Sequence, residues 1–329
     1  MHVFIFFSCP KIQNYDCLFL KKVYIVTLFT RWRAMWLSLV ILAAWFGSRY
    51  GWLKQLDGFG PHQEPIILYS VYDAIRAWFD HVVFVIREEF AESFKETIGR
   101  VIEDEISVSY VFQTKEAYVP EQYAALIPLR EKPWWTAHAT LVAKEVVSQP
   151  FAVINADDFY GRDAFIQIAD FLRTIHPDQI GMIWYVLKNT LSPFWSINRW
   201  VCEVVDNKLV SIVERLKIKN DDQGKFHDQT WDEVEMNAIV SMNFWWFHHS
   251  FFTYLEKYFE EFLEQSQGQG EYFIPLVVDI CLRDVAMSCK VMMTTNQRCW
   301  VSYQEDKPFV QQTIATLHAT GVYPEQLFT

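Results

Sequence analysis

VILAAWFGSRYGWLKQLDG, residues 40–58, is the stretch whose reading decides the fold. Its first residues finish the continuous apolar run LSLVILA (37–43), which has the composition of a strand buried on both faces. The strand passes into a loop that carries Gly47, Ser48, Arg49, Gly51 and Lys54. A loop after the first strand of a parallel sheet can cradle phosphate. Glycine lets backbone N–H groups come close to the oxygens, and a positive φ costs it nothing. Two positions here that suit glycine hold the largest side chain, Trp45 and Trp52.

Working outward, the chain alternates strand and helix patterns. The apolar runs HVVFVIR (81–87), SVSYVFQ (107–113), FAVINADDF (151–159) and GMIWYVL (181–187) read as further strands. Helical periods cover 65–79, 88–105, 136–147 and 163–175, the first opening at Pro65 and the third at a cap on Thr136. Residues 199–215 read as two strands around a tight turn at Asp206-Asn207. A polar and mobile loop is expected over 219–233, then a return to the sheet at 234–247 and an amphipathic helix over 251–266. The order predicts an α/β fold. Its sheet is doubly wound, mostly parallel and Rossmann-like, with helices on both faces and an added antiparallel hairpin region.

Length and charge narrow the classes. The 329 residues suit one large domain, expected over 36–329. A net charge of −11 excludes a broad electrostatic grip on nucleic acid and leaves room for a local phosphate site. The six cysteines show no C-x-x-C pair and read as free thiols in a reducing cytoplasm. Residues 1–35 hold two short apolar runs, too short for the ~18–20 residues of a membrane span. They are expected to be an extension translated upstream of a true start at Met35, with a peripheral membrane anchor as the alternative.

Glycine and tryptophan are abnormal together. Eleven glycines are about 3% of the chain against a usual ~7%, while tryptophan occurs fourteen times. Keeping Trp134 and Trp245 and reading the other twelve as glycine restores about 7%. We read the pattern as UGA codons meaning glycine but translated as tryptophan, with a genuinely tryptophan-rich chain as the alternative.

Ligands of open parallel sheets bind outside the carboxyl ends of the strands. Three loops from such ends bear distinctive residues: Ala43 to Gln55, Arg130 to His138 and Asn155 to Gly161. With glycine at 45 and 52 the first becomes G-x-G-S-R followed by G-G-x-K, which resembles the signature of sugar-phosphate nucleotidyltransferases. These are the NDP-sugar pyrophosphorylases, such as glucose-1-phosphate uridylyl- and thymidylyltransferases. KPWWTAHA (132–139), read with glycine at 135, resembles that family's base-binding segment. INADDFYG (154–161) resembles its acidic Mg²⁺ motif. Residues 198–215, with glycine at 200, resemble its sugar-side strand pair, and SMNFWWF (241–247), with glycine at 246, also fits.

The resemblance implies a site. Ala43, Ala44, Trp45, Gly47 and Ser48 would hold the triphosphate, and Trp135, Thr136 and Ala137 the base. Arg49 would neutralise the β/γ end and Lys54 the α-phosphate. Asp157 would bind Mg²⁺, with Asp306 as the second metal carboxylate. Trp200, Glu214, Lys217 and Asn243 would face the sugar, and Arg215 or Lys217 its phosphate. A nucleoside triphosphate such as UTP would condense with a sugar 1-phosphate. No nucleic-acid partner or stable membrane insertion is expected; a homo-oligomer is allowed. His138 reads as structural, and His248-His249 as a helix-start pair. Two rivals stand beside this reading: transfer to a non-sugar phosphate such as a phospho-alcohol or phosphocholine, and nucleotide binding without turnover.

Overall fold

A computed structural model of the chain describes residues 36–44, 57–191, 195–221, 223–285, 287–294, 299–300 (backbone) and 306–328. Trp36–Thr329 forms one compact unit. The call on residues 1–35 lies outside the described residues.

The elements run β1 (Ser38–Leu42), α1 (Ile66–Arg76), β2 (His81–Ile86), β3 (Ser107–Phe112), α2 (Thr136–Leu141), β4 (Phe151–Asn155), β5 (Asp158–Phe159), α3 (Arg162–Leu172), β6 (Gln179–Val186), β7 (Ile197–Val205), β8 (Lys208–Asn220), β9 (Phe226–His227), β10 (Glu233–Val234), β11 (Ile239–Phe247), α4 (Phe251–Ser266), α5 (Ile274–Asp284), β12 (Ser288–Met293), β13 (Cys299–Trp300) and α6 (Lys307–Ala319). The helical stretch between β2 and β3 is irregular, passing through 3-10, α and π turns from Glu88 to Ile102.

Every residue of β1 is buried, as its unbroken apolar run requires. Alternate side chains enter different cores. Leu39 and Ile41 pack with α1, α3 and α6, while Val40 and Leu42 pack with α2, α4 and α5. Helices therefore cover both faces. Burying each such side chain stabilises the fold by roughly 1.5–3 kcal/mol.

The strand order is β10-β9-β8-β12-β6-β11-β4-β1-β2-β3, with β7 against β11 and β8. Its directions correct the expected mostly parallel sheet. β3, β2, β1 and β4 are parallel, as are β12 and β6. β11, however, runs antiparallel to both β4 and β6, and β7, β8, β9 and β10 extend the antiparallel pairing. An apolar run reports burial on two faces but not direction. β11 arrives from the hairpin region instead of through a crossover helix, so it enters the sheet reversed.

The hairpin turn falls where expected. Asp206 and Asn207 both have positive φ, 49° and 59°, between β7 and β8. The stretch 219–233 is tied down where mobility was expected. Asp221 accepts backbone N–H bonds from Gln223 and Lys225 and a ring contact from His227. Asp228 caps the next turn through Thr230 and Asp232 and pairs with Arg215 at 2.9 Å. Thr136 is the first residue of α2 and not its cap; its hydroxyl accepts the Ile274 N–H. Among the described residues no helix is long and apolar enough to cross a membrane.

Candidate active site

Two adjoining cavities open at the carboxyl ends of the parallel strands. The larger, about 550 Å³, takes Ala44 from the end of β1, Arg87 from β2, Gln113 from β3 and Asn155 and Asp157 from β4. The smaller, about 250 Å³, takes Arg199 and Trp200 from β7, Ser241 to Asn243 from β11, and Phe273 and Pro275 from the start of α5. Trp135, Thr136, Asn155 and Asp157 line both.

The acidic strand end is sorted by hydrogen bonding. The Trp245 indole donates to Asn243 Oδ1 at 3.1 Å, and Asn243 Nδ2 donates to Asn155 Oδ1 at 2.8 Å. Asn155 Nδ2 then donates to Asp158 Oδ2 at 3.0 Å, which also accepts the Tyr160 hydroxyl at 3.3 Å. Asp158 is largely buried in this chain of donors and also lines the smaller cavity, while Asp157 lies on the wall shared by the two cavities. The oriented amides hold the strand end in one geometry.

Of the residues singled out in the sequence, Ala44, Trp135, Thr136, Asp157, Trp200 and Asn243 line the cavities. Trp45, Gly47, Ser48, Arg49 and Lys54 lie outside the described residues; Ala44, which precedes them in the chain, lines the larger cavity. Ala43 is buried, its N–H bonded to Val85 O. Ala137 is buried, its N–H spent on Tyr272 O. Lys217 is exposed with φ 53°, its amide held by Asn198 Oδ1. Arg215 is neutralised by Asp228 and Asp232.

Glu214 faces Trp200 across the β7–β8 ladder and is absent from both linings. Burial, and then the charge of Glu271, push its carboxyl above the ordinary range. Asp306 is buried at the start of α6 and is in neither cavity lining. The backbone opposite Asp158 is Trp300 in β13. Among the described residues no group of three His, Cys, Asp or Glu side chains is placed to hold a metal ion. His138 is fully buried between Gln113 and the Ala117 carbonyl, and burial holds it down to about 4. It is neutral and structural, as read.

Gln113, Arg87, Arg199 and Phe273 also line the cavities, while Asn155 heads the strand-end loop read from sequence. Gln113 and Arg87 sit at strand carboxyl ends, so the rule that drew attention to Ala43 covers them too. Arg199 and Phe273 had no such signal. Arg199 acts from within a strand, its guanidinium steadied by Thr190 at 2.7 and 3.1 Å. Phe273 precedes a helix that the hydrophobic pattern did not reveal.

Three solved structures share this architecture. A Bacillus anthracis protein assigned as a glucose-1-phosphate thymidylyltransferase, in complex with a sucrose, matches with TM-score 0.60 and 15% identity. The match covers 84% of this chain and 95% of that one. The fold is that of the sugar-phosphate nucleotidyltransferases. The inositol-1-phosphate CTP transferase of T. maritima matches with TM-score 0.58 and 14% identity, over 87% and 97% of the two chains. A UDP-glucose pyrophosphorylase complexed with UDP-glucose gives 0.58 and 14%, over 86% and 99%. No protein-family profile matches the chain, and no curated protein does. With this nucleotidyltransferase fold, the two cavities lie where one sheet presents both its parallel strand ends and its antiparallel strands.

Proposed function

We propose that this chain transfers a nucleotidyl group from a nucleoside triphosphate to a sugar 1-phosphate, giving an NDP-sugar and pyrophosphate. The observation that carries the reading is the position of Asp157, on the wall common to the two cavities. The larger cavity suits the nucleotide and the smaller the acceptor, so the reacting phosphates would meet at this carboxylate.

The acceptor's phosphate oxygen is already a nucleophile, so no general base is needed. The protein's task is in-line placement and management of negative charge. Backbone at Trp135 and Thr136 would lie against the base. Arg49 and Lys54, on the loop that begins at Ala44, would take the leaving pyrophosphate and the α-phosphate. The Asn243–Asn155–Asp158 chain would fix the strand end that bears Asp157. Mg²⁺ usually takes only one or two protein carboxylates and fills its shell with waters and substrate phosphates. Asp157 on the shared wall, with Asp158 beside it in the smaller cavity's lining and already hydrogen-bonded to Asn155 and Tyr160, fits that donor set. Asp157 would hold the ion, which when bound supplies charge neutralisation on the phosphate oxygens.

The test is a turnover screen of the protein with glycine at 45, 52, 135 and 200. Four NTPs would be paired with several sugar 1-phosphates and with phospho-alcohols, reading pyrophosphate. Turnover with sugar 1-phosphates is expected. Turnover only with phospho-alcohols would reassign the acceptor, and binding without any turnover would remove the enzyme reading.

A further inference from the structure

We propose that Trp135 occupies a position built for glycine, and that with glycine there the two cavities form one continuous cleft. The backbone at residue 135 has φ 74° and ψ −158°. That region is open to glycine and essentially closed to residues bearing a Cβ. The indole standing on this backbone contributes to the walls of both cavities. It leans on Phe273, 5.6 Å between ring centroids, and hydrogen-bonds Glu271.

Two other tryptophans repeat the backbone anomaly away from the cleft. Trp78 has φ 68° just beyond α1. Its N–H bonds to Ile75 O, and the Phe79 N–H reaches back to Ala74 O, both at 3.0 Å. This is the Schellman ending of a helix, whose left-handed residue is usually glycine. Trp231 has φ 63°, closes a turn on Asp228 O and is 66% exposed. A bulky side chain at positive φ is an outlier, and three among the tryptophans of one chain is a pattern.

Other tryptophans are seated as tryptophan should be. Trp134 and Trp245 are fully buried, with their indole N–H groups on Lys115 O at 2.9 Å and Asn243 Oδ1 at 3.1 Å. Trp246 is as deeply buried, but its indole nitrogen has no hydrogen-bond partner. These contrasts fall along the division drawn from composition, which kept 134 and 245 and released the rest. Codon reassignment accounts for both.

The backbone argument stands without any function; the joined cleft rests on the nucleotidyltransferase reading. Four proteins separate the two: the chain as written, Trp135→Gly, Trp135→Ala and Trp78→Gly. Each is followed by thermal unfolding and by calorimetry with UTP and Mg²⁺. Trp135→Gly should raise the melting temperature by about 2–6 °C and tighten UTP at least tenfold. Trp135→Ala should tighten UTP without raising the melting temperature, because alanine opens the cleft but keeps the strained backbone. Trp78→Gly should stabilise and leave UTP binding unchanged. A Trp135→Gly protein no more stable than the written chain would overturn the glycine assignment, as would TGG at codon 135 of the coding DNA. Stabilisation without tighter UTP binding would keep the glycine and sink the joined nucleotide cleft, while the functional reading stands or falls with the turnover screen.

Discussion

The parallel and antiparallel halves of the sheet supply the same cleft in different ways. β1, β2, β3 and β4 run in one direction, and each hands over a residue just past its carboxyl end: Ala44, Arg87, Gln113 and Asp157. β7 and β11 lie antiparallel to each other and present residues from within the strand: Arg199 and Trp200, and Ser241 to Asn243. The first half builds a site from loops that can vary without disturbing the ladder. The second builds it from side chains whose direction is fixed by pairing and by a bulge between Ser241 and Trp245. Substitutions should therefore affect chemistry in the first half and affect stability and acceptor binding together in the second.

Asp157→Asn gives the largest expected effect and belongs to the parallel half. In the glycine-restored protein it should cut turnover at least a hundredfold, a barrier increase of about 2.7 kcal/mol. Folding should change less than turnover, because the buried hydrogen bonds from Asn155 and Tyr160 end on Asp158. Near-wild-type turnover at saturating Mg²⁺ would take Asp157 out of the proposed metal site and blur the contrast between the halves.

The same comparison can be made across the sheet, where a helix on each face carries a deeply buried ionisable group. Asp73 in α1 is pushed up to about 7, chiefly by burial; its bond to Tyr323 and the charges of Arg162 and Arg76 oppose the shift. His138 in α2 is held down to about 4, again chiefly by burial. An acid with a raised folded value loses stability as pH climbs from about 4 to about 7. A base with a depressed folded value loses stability as pH falls from about 6.5 to about 4. Between about 4 and 6.5 the two slopes, each about 1.4 kcal/mol per pH unit, oppose one another. Relative to wild type, Asp73→Asn should gain stability as pH rises through that window, and His138→Gln as pH falls. Denaturant melts at half-unit steps measure this; a pH-independent difference for either variant would show that the group does not titrate as stated.

How much of this was legible follows the same division. The parallel half could be read because β1, β2 and β4 are buried, continuous apolar runs followed at once by their loops, while β3, SVSYVF, is half-exposed and shows by its β-branched and aromatic residues; the rim at Asp157 emerges from the same local pattern. The reversal of β11 could not be read, since IVSMNFWWF is apolar in either direction. The metal role of Asp306 came from alignment alone, and the structure places that residue at a helix start outside the cavity linings. α5, β12 and α6 had no reading: Pro275 near the start of α5 looks like a break unless the first turn is already known. The carboxylate ties of Asp221 and Asp228 were invisible because a polar loop and a capped turn share one composition.

Asn243→Gly tests the fixed geometry of the antiparallel half. Asn243 has φ 62°, so glycine keeps the backbone and removes only the amide. Asn155 would lose a donor and Trp245 an acceptor. Stability should fall by about 1–2 kcal/mol, and turnover should fall with it through the loosened strand end. Unchanged stability with a raised acceptor KM would instead make Asn243 a direct acceptor ligand, as the family resemblance implies.

Glu214→Gln carries the smallest expected effect and asks whether Trp200 hides part of the acceptor site. Glu214 and Trp200 are cross-strand partners, so their side chains leave the ladder on one face. Trp200 lines the smaller cavity and Glu214 does not. Its raised carboxyl, crowded by burial and by Glu271, is a group short of hydrogen-bond donors that sugar hydroxyls can supply. In the written chain the indole stands between them and the substitution should leave acceptor binding unchanged. With Trp200→Gly the carboxylate would face the cavity. There Glu214→Gln should raise the acceptor KM about three- to fivefold, roughly 0.7–1 kcal/mol, because glutamine keeps an acceptor oxygen but loses the charge. The KM for NTP should not move, since the residue lies on the side away from the larger cavity's lining. Equal shifts in both constants would mean that the antiparallel half is not a separate acceptor surface.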